Sequence, residues 1–171
     1  MSAAPGSARK LYFLVAGGVL LLDQLSKWVV QQAMAPGELR GVLSGFFNLT
    51  FVRNRGAAFG LFSESDSALV QVLLVAFSLA ALGLVLVLLW RGTASGAAGW
   101  GLALIFGGAL GNLLDRLRSG SVVDFLDFYI GSYHWPAFNL ADSSIVIGAG
   151  LLLLVVLRGH RAAPRAEAHE A

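Results

Sequence analysis

The chain lacks cysteine altogether, and this absence removes several kinds of chemistry. Without a thiol there is no disulfide, no thiolate nucleophile, no S-acylated anchor and no cysteine-based zinc site. Charged residues are also scarce, at 13% of the 171 residues, whereas a soluble domain carries roughly a quarter. The basic residues are dispersed and the formal net charge is only +2, so we expect no nucleic-acid partner.

Hydrophobic residues dominate instead, at 57% of the chain, with a mean hydropathy of +0.74. A membrane helix needs about 20 apolar residues to cross a hydrocarbon core of about 30 Å. The sequence therefore predicts an all-α membrane protein in which residues 1–158 form one four-span domain and residues 159–171 form a disordered tail. The predicted spans are residues 11–33, 68–90, 100–117 and 141–157.

The first apolar run also has an interpretation as a cleaved signal peptide. It follows Arg9 and Lys10 and ends near small residues, as such leaders do. However, the helix-compatible sequence continues through Asp23 and Lys27 to Ala33, which is too long and too polar for a cleaved leader. We therefore predict a retained span.

A change of period between spans one and two predicts a small β-structure. Apolar residues alternate with Asn48 and Thr50 in a stretch rich in Phe, Thr and Val, a pattern typical of strands. We expect a β-containing cradle at about 37–66, outside the membrane core or at its surface.

Positive residues next to the spans predict the orientation. Arg9, Lys10, Arg91 and Arg158 fall on one side of a four-span chain, which predicts that both termini are cytoplasmic. The other side also carries arginines, so the charge rule is only modestly decisive. Connectivity alone places the 37–66 insertion and the loop between spans three and four together, on the side expected to be extracytoplasmic.

Polar residues inside the spans need a reason. Asp23 and Lys27 are four residues apart, which suits either an internal ion pair or contact with a substrate. Asn112 and Arg116 have the same spacing. Either Arg116 extends to the headgroups with Asp115 as its counter-charge, or the two residues form a functional network that reaches a lipid phosphate or a carboxylate.

The motif from Asn54 to Gly60 follows the strand-like stretch. Its glycines, Gly56 among them, are compatible with ordinary turn chemistry. A side-chain amide followed by small residues also suits a loop that presents backbone groups to an extended peptide. Both interpretations stay open.

Asp124 and Asp142 lie at the two ends of the connection between spans three and four. Taken singly, Asp124 is explained as a solvated loop acid, as we expect for Asp127, and Asp142 as a helix N-cap. Two acids that meet in a poorly solvated place tend instead to share a proton, which gives one base and one acid. A metal site of Asp124, Asp127 and His134 fits the usual ligand patterns poorly.

Five ordered motifs together carry a family resemblance. They are Asp23 to Lys27, Asn54 to Gly60, Gly111 to Arg116, Val122 to Phe125 and Phe138 to Asp142. In these motifs the chain resembles bacterial lipoprotein signal peptidase, also called signal peptidase II. The resemblance implies a four-span aspartic endopeptidase of the bacterial inner membrane. It also implies the substrate, a prolipoprotein signal peptide cut before a diacylglyceryl-modified cysteine.

The resemblance further assigns roles to residues and partners. Asp124 and Asp142 become the catalytic pair, and the supporting set is Asn54, Gly56, Asn112, Arg116, Asn139, Asp23 and Lys27. Membrane lipids and globomycin-type inhibitors are implied partners, and neither a metal nor a cofactor is required. A small proton-coupled transporter that uses the same ionisable residues is the alternative from another class, and a non-catalytic scaffold is a third.

Overall fold

The computed structural model describes residues 6–56, 67–92 and 94–161. Its helices are α1 (Gly6–Ala33), α2 (Ala68–Trp90), α3 (Ala97–Ser119) and α4 (Leu140–Arg161), and its strands are β1 (Leu39–Leu43), β2 (Phe47–Asn54), β3 (Val122–Ile130) and β4 (Tyr133–His134). All four helices are long and apolar enough to cross a membrane. The predicted spans are thus confirmed as helices. The first residues of the predicted disordered tail, 159–161, form the end of α4. Residues 162–171 lie outside the described residues.

The strands form one antiparallel sheet in the order β1-β2-β3-β4. Asn54 pairs with Val122 and Asn48 pairs with Asp127, so β2 from the first connection lies beside β3 from the last one. The predicted insertion between spans one and two thus supplies β1 and β2, and the connection between α3 and α4 supplies β3 and β4, which were not predicted. The first five residues of β3 are nearly all buried, so its sequence lacks the alternation that marks a strand with one exposed face.

Helix α3 is the centre of the bundle, because α1 and α4 pack closely against it. A Cβ atom built on Gly107 would lie 2.5 Å from the carbonyl oxygen of Ala16 in α1, and one on Gly108 would lie 2.5 Å from that of Ala141 in α4. These glycines let backbones approach where side chains would keep them apart. Helix α2 instead exposes large apolar side chains, such as Phe77 at 76%, as expected for a lipid-facing span.

Two hydrophobic clusters hold the ends of the bundle. One surrounds Tyr12, Leu89 and Leu102, away from the sheet. The other packs Val30 of α1 and Phe125 of β3 beneath the sheet. The sheet is thus fixed on the bundle at the end where α4 begins.

Candidate active site

Helix α4 begins with a reciprocal cap between Asn139 and Asp142. The Asn139 Oδ1 atom accepts a hydrogen bond from the backbone N–H of Asp142 at 2.9 Å, and Asp142 Oδ2 accepts one from the backbone N–H of Asn139 at 3.2 Å. This is the geometry of a capping box. The cap residue is therefore Asn139, not Asp142 as one interpretation of the sequence had it. Asp142 lies in the first turn, at the positive end of the helix dipole.

Asn139 also reaches the second aspartate. Its Nδ2 atom donates to Asp124 Oδ1 at 2.7 Å, and Asn139 itself is fully buried. One asparagine thus bonds to both acids, through its side chain to Asp124 and through its backbone to Asp142. The structure brings the two predicted aspartates into a single site.

Two further asparagines complete the contacts to the carboxylates. Asn54 Nδ2 donates to Asp124 Oδ2 at 3.0 Å, and Asn112 Nδ2 donates to Asp142 Oδ1 at 2.8 Å. Each of the four carboxylate oxygens therefore accepts one N–H, and the donors come from β2, α3 and the start of α4. This arrangement fixes both acids in place, and among the described residues neither forms an ion pair with a cation.

The environment of Asp124 favours its protonated form. Burial raises the pKa of Asp124 to about 7, and the nearby charge of Asp142 acts in the same direction. The hydrogen bonds from Asn54 and Asn139 and the charge of Lys27 oppose this increase. Near neutral pH the site therefore readily holds a proton on Asp124, as expected when two acids lie close together away from water.

Lys27 lies beneath the aspartates and is almost fully buried. Its Nζ atom lies 2.8 Å from Asp23 Oδ2 and 2.8 Å from Asp115 Oδ2, so the ion pair proposed from the sequence is present and has a third member. The same atom donates to Asn112 Oδ1 at 2.9 Å. Because an ammonium group only donates, Lys27 turns the amide of Asn112 so that its N–H faces Asp142.

Asp23 and Asp115 have further contacts in this network. Asp23 Oδ1 accepts from the backbone N–H of Ala141 at 3.0 Å, which ties α1 to the first turn of α4. Asp115 Oδ1 accepts from Gln24 Nε2 at 2.9 Å. The sequence suggested Asp115 as a nearby counter-charge of Arg116; its charge does act on Arg116, but its ion pair is with Lys27.

Arg116 extends towards the loop that follows β2. Its Nη2 atom donates to the carbonyl of Gly56 at 2.9 Å. The N–H of Gly56 in turn donates to Asn54 Oδ1 at 2.8 Å, which leaves the amide nitrogen of Asn54 for Asp124. The remaining residues of this motif, 57–60, lie outside the described residues.

A cavity of about 670 Å³ opens beside the carboxylates. Its polar wall consists of Asn54, Asn112, Arg116, Asp124 and Asp142. The apolar wall includes Phe138 and, from α4, Val146 and Ile147, which are 66% and 57% exposed. The cavity thus connects its polar wall to an apolar side of the bundle that suits contact with lipid.

Asp127 forms a separate cluster on the sheet. It is only 5% exposed, and it accepts from Asn48 Nδ2 at 2.8 Å and contacts His134 Nδ1 at 2.9 Å. The expectation of a solvated Asp127 was wrong. Its partner Asn48 lies on the adjacent strand β2, far away in the sequence. Within the described residues no group of three His, Cys, Asp or Glu side chains is placed to hold a metal ion.

Fold and site together define a four-helix membrane protein with a pair of carboxylates, one buried and one half-buried, beside a lipid-facing cavity. Residues 15–158 match the family model described as signal peptidase (SPase) II. The chain is 46% identical to the lipoprotein signal peptidase of Syntrophus aciditrophicus over 147 residues, which are 85% of this chain and 90% of that protein. It is 44% identical to the lipoprotein signal peptidase of Burkholderia mallei over 163 residues, or 95% and 97% of the two chains. The chain belongs to the signal peptidase II family, and it is a peptidase.

Two solved structures share the architecture. Both are described as a bacterial membrane enzyme. One has a TM-score of 0.81 at 30% identity and covers 94% of this chain and 95% of its own. The other has a TM-score of 0.76 at 32% identity, with 87% and 94% covered. These neighbours support a multi-pass membrane enzyme.

Proposed function

We propose that the protein is an aspartic endopeptidase that releases the signal peptide from bacterial prolipoproteins, cutting before the diacylglyceryl-modified cysteine. The observation that carries this proposal is that Asn139 donates hydrogen bonds to both Asp124 and Asp142 beside the cavity. The names of the relatives support the substrate class. They do not support the proton-coupled transporter considered from the sequence.

The chemistry follows from two acids that hold one proton between them. The ionised carboxylate takes a proton from water as the water oxygen attacks the scissile carbonyl, and the protonated carboxylate donates to the carbonyl oxygen. When the tetrahedral intermediate collapses, the C–N bond breaks, the leaving amine takes the proton that the first carboxylate removed from water, and the carbonyl oxygen returns its proton to the second carboxylate. The base and acid roles belong to Asp124 and Asp142 as a coupled pair.

The cavity suits a substrate that remains partly in the membrane. The signal peptide and the diacylglyceryl chains stay in lipid beside Val146 and Ile147, while the bond to be cut reaches the polar wall of the cavity. Arg116 orients a polar group of the substrate or a neighbouring lipid headgroup there. A globomycin-type inhibitor would bind between the two aspartates.

We propose that the enzyme lies in the bacterial inner membrane with both termini in the cytoplasm. Arg9 and Lys10 near the start of α1, Arg91 after α2 and Arg158 near the end of α4 support this orientation. The pairing of β2 with β3 puts the sheet and the carboxylates at the same end of the bundle. This end is then extracytoplasmic, where exported prolipoproteins are found.

The experiment is cleavage of a synthetic prolipoprotein peptide by the purified protein in lipid bicelles. We expect a cut before the cysteine, located by mass spectrometry, when the cysteine carries diacylglycerol. The matched peptide with an unmodified cysteine should be cut much more slowly. Absence of cleavage of the lipidated peptide, or a cut elsewhere, would contradict the proposed function.

A further inference from the structure

Gln71 is a polar residue in the most apolar helix of the bundle. Helix α2 carries no charged residue, and Gln71 supplies its one side-chain amide. An amide is costly to place in a lipid-facing helix unless its hydrogen-bonding groups are used. Gln71 lies in the first turn of α2, at the end of the bundle where Arg116 and the loop after β2 are found.

The contacts of Gln71 connect α2 to this loop. Its Nε2 atom donates to the carbonyl of Arg55, and Arg116 Nη2 donates to the next carbonyl, that of Gly56, at 2.9 Å. Two successive carbonyls of one short segment are therefore held from two different helices. Both donors belong to helices, Gln71 to α2 and Arg116 to α3, and neither belongs to the sheet.

The position of this loop determines the placement of Asn54. The backbone N–H of Gly56 donates to Asn54 Oδ1, so the amide nitrogen of Asn54 is directed to Asp124 Oδ2. If Gly56 moved, the bond that directs the amide nitrogen of Asn54 towards Asp124 would be lost. Asp124 would then lose one of its two hydrogen-bond donors.

Gln71 and Arg116 also face a common space. Both line a second cavity of about 320 Å³ between α2 and α3. In the part of the chain that the structure describes, Gln71 Oε1 and Arg116 Nε are buried without a hydrogen-bond partner. The first is an acceptor and the second a donor.

From this geometry we infer that Gln71 is a positioning residue for the peptidase, which together with Arg116 holds the 54–56 loop and keeps Asn54 on Asp124. The inference rests on the proposed function and adds a residue that contacts neither substrate nor carboxylate. Gln71 acts through Arg55, Gly56 and Asn54. Its loss should therefore affect the reaction of bound substrate rather than the binding of substrate.

A change in pH dependence should accompany the loss of rate. The bond from Asn54 lowers the pKa of Asp124, because it stabilises the ionised carboxylate. The charged groups that face Asp124 from the helices are Lys27 in α1, Arg116 in α3 and Asp142 in α4, and all of them remain in a Gln71 variant. Weakening the Asn54 bond therefore raises the pKa of Asp124 and moves the alkaline limb of the pH profile, where the pair loses its shared proton, to higher pH.

The test compares Gln71→Met, which keeps the length of the side chain but has no N–H, with Ser78→Ala. Ser78 is a matched control because, among the residues that the structure describes, its hydroxyl bonds only to the carbonyl of Leu74 in the same helix. We expect kcat to fall about tenfold in Gln71→Met with KM within about twofold of the wild type. We expect Ser78→Ala to keep the wild-type rate and pH profile.

A double-mutant cycle with Asn54→Ala tests the route of the effect. Residues that act through the same bond should not be additive, so Gln71→Met should cost little in the Asn54→Ala background. Full additivity would overturn the inference, as would wild-type kcat and pH profile in Gln71→Met. Failure of both Gln71→Met and Gln71→Leu to fold would also overturn it, by assigning Gln71 a structural role.

The two proposals can fail separately. If the wild type cleaves the lipidated peptide and Asp124→Asn does not, the proposed function stands whatever Gln71→Met does. An unaffected Gln71→Met would then refute the positioning role alone. A wild type that does not cleave, or an active Asp124→Asn, would refute both.

Discussion

The Nζ atom of Lys27 lies 2.9 Å from Asn112 Oδ1, and the opposite side of the same amide donates to Asp142 at 2.8 Å. A buried ammonium group in the first helix thus determines the orientation of a donor to a carboxylate in the last helix. The ion pairs of Lys27 with Asp23 and Asp115 serve this purpose as well as stability.

Replacing Lys27 by Met should strongly destabilise the protein. The change leaves Asp23 and Asp115 without their cation, and breaking a buried ion pair from one side typically costs about 3–5 kcal/mol. Unfolding by denaturant in detergent measures the effect, with Lys10→Met at an exposed position as the control. Adding Asp23→Asn should recover part of the loss. Equal stability of Lys27→Met and Lys10→Met would refute the role of Lys27.

The two roles of Asn139 can be separated by substitution. Asn139→Ala loses both the helix cap, worth about 1 kcal/mol, and the bond to Asp124. Asn139→Ser restores a capping oxygen but has no N–H that reaches Asp124. We expect Asn139→Ser to recover most of the free energy of unfolding while kcat stays low. Recovery of full activity in Asn139→Ser would show that the bond to Asp124 is dispensable.

The stability of the fold should decrease with rising pH because of Asp124. Its pKa is raised to about 7 in the folded chain, against roughly 3.9 for an unperturbed aspartate. Between these values the folded state binds more protons than the unfolded state, so the free energy of unfolding falls as pH increases and levels off above about 7. Asp124→Asn removes this contribution.

The comparison is the free energy of unfolding of wild type and Asp124→Asn from pH 4 to 8. The variant should gain stability relative to the wild type as pH rises through this window. A difference that is independent of pH would contradict the raised pKa of Asp124. The slope reports the carboxylate pair as a unit, because the two acids interact.

The close approach of α3 and α4 makes Gly108 sensitive to any side chain. A Cβ atom there would lie 2.5 Å from the carbonyl oxygen of Ala141, next to Asp142. Gly108→Ala should therefore push α4 away and cost about 1–3 kcal/mol, as overpacking does, together with most of the activity. Gly83→Ala in α2 is the matched control, because no atom of the described residues lies within 4 Å of its added Cβ.

The control should be neutral or slightly stabilising, since alanine is favoured over glycine in a helix by about 1 kcal/mol. Both variants are compared by thermal unfolding and by initial rate. If Gly108→Ala behaved like Gly83→Ala, the helices would not be in direct backbone contact at this position.

Substitution of Arg116 tests its contribution to catalysis. Arg116→Lys keeps the charge but loses the planar fork that donates to Gly56, and the two side chains are not equivalent at such sites. We expect kcat/KM to fall in Arg116→Lys and further in Arg116→Ala. Unchanged cleavage kinetics in Arg116→Ala would exclude a role for Arg116 in the reaction.

The helices could be predicted because their signal is local. An uninterrupted apolar run gave α2 with its observed limits, and the acid pair was recognisable from two aspartates at the ends of one connection. Strand β3 was not predicted, since residues buried on both faces show no alternation. The position of Asp127 was missed for a similar reason, because its partner Asn48 is 79 residues away.

The residues that surround the carboxylates were predicted from the sequence, but the hydrogen bonds between them were not. Lys27, Asn112 and Asn139 were named from motifs, whereas the bonds that join them cross from one helix to another and leave no periodic trace in the sequence. Gln71 was missed because a single amide in an apolar run resembles a tolerated substitution. A polar residue in an otherwise apolar span was the signal that pointed to it.

The central claim is that Asp124 and Asp142 act as one catalytic pair. The most direct measurement is single-turnover cleavage of the lipidated prolipoprotein peptide by Asp124→Asn and Asp142→Asn, each checked for folding and for peptide binding. The account predicts that both variants fold and bind the peptide but show no detectable cleavage. Cleavage at a rate near that of the wild type by either variant would contradict it.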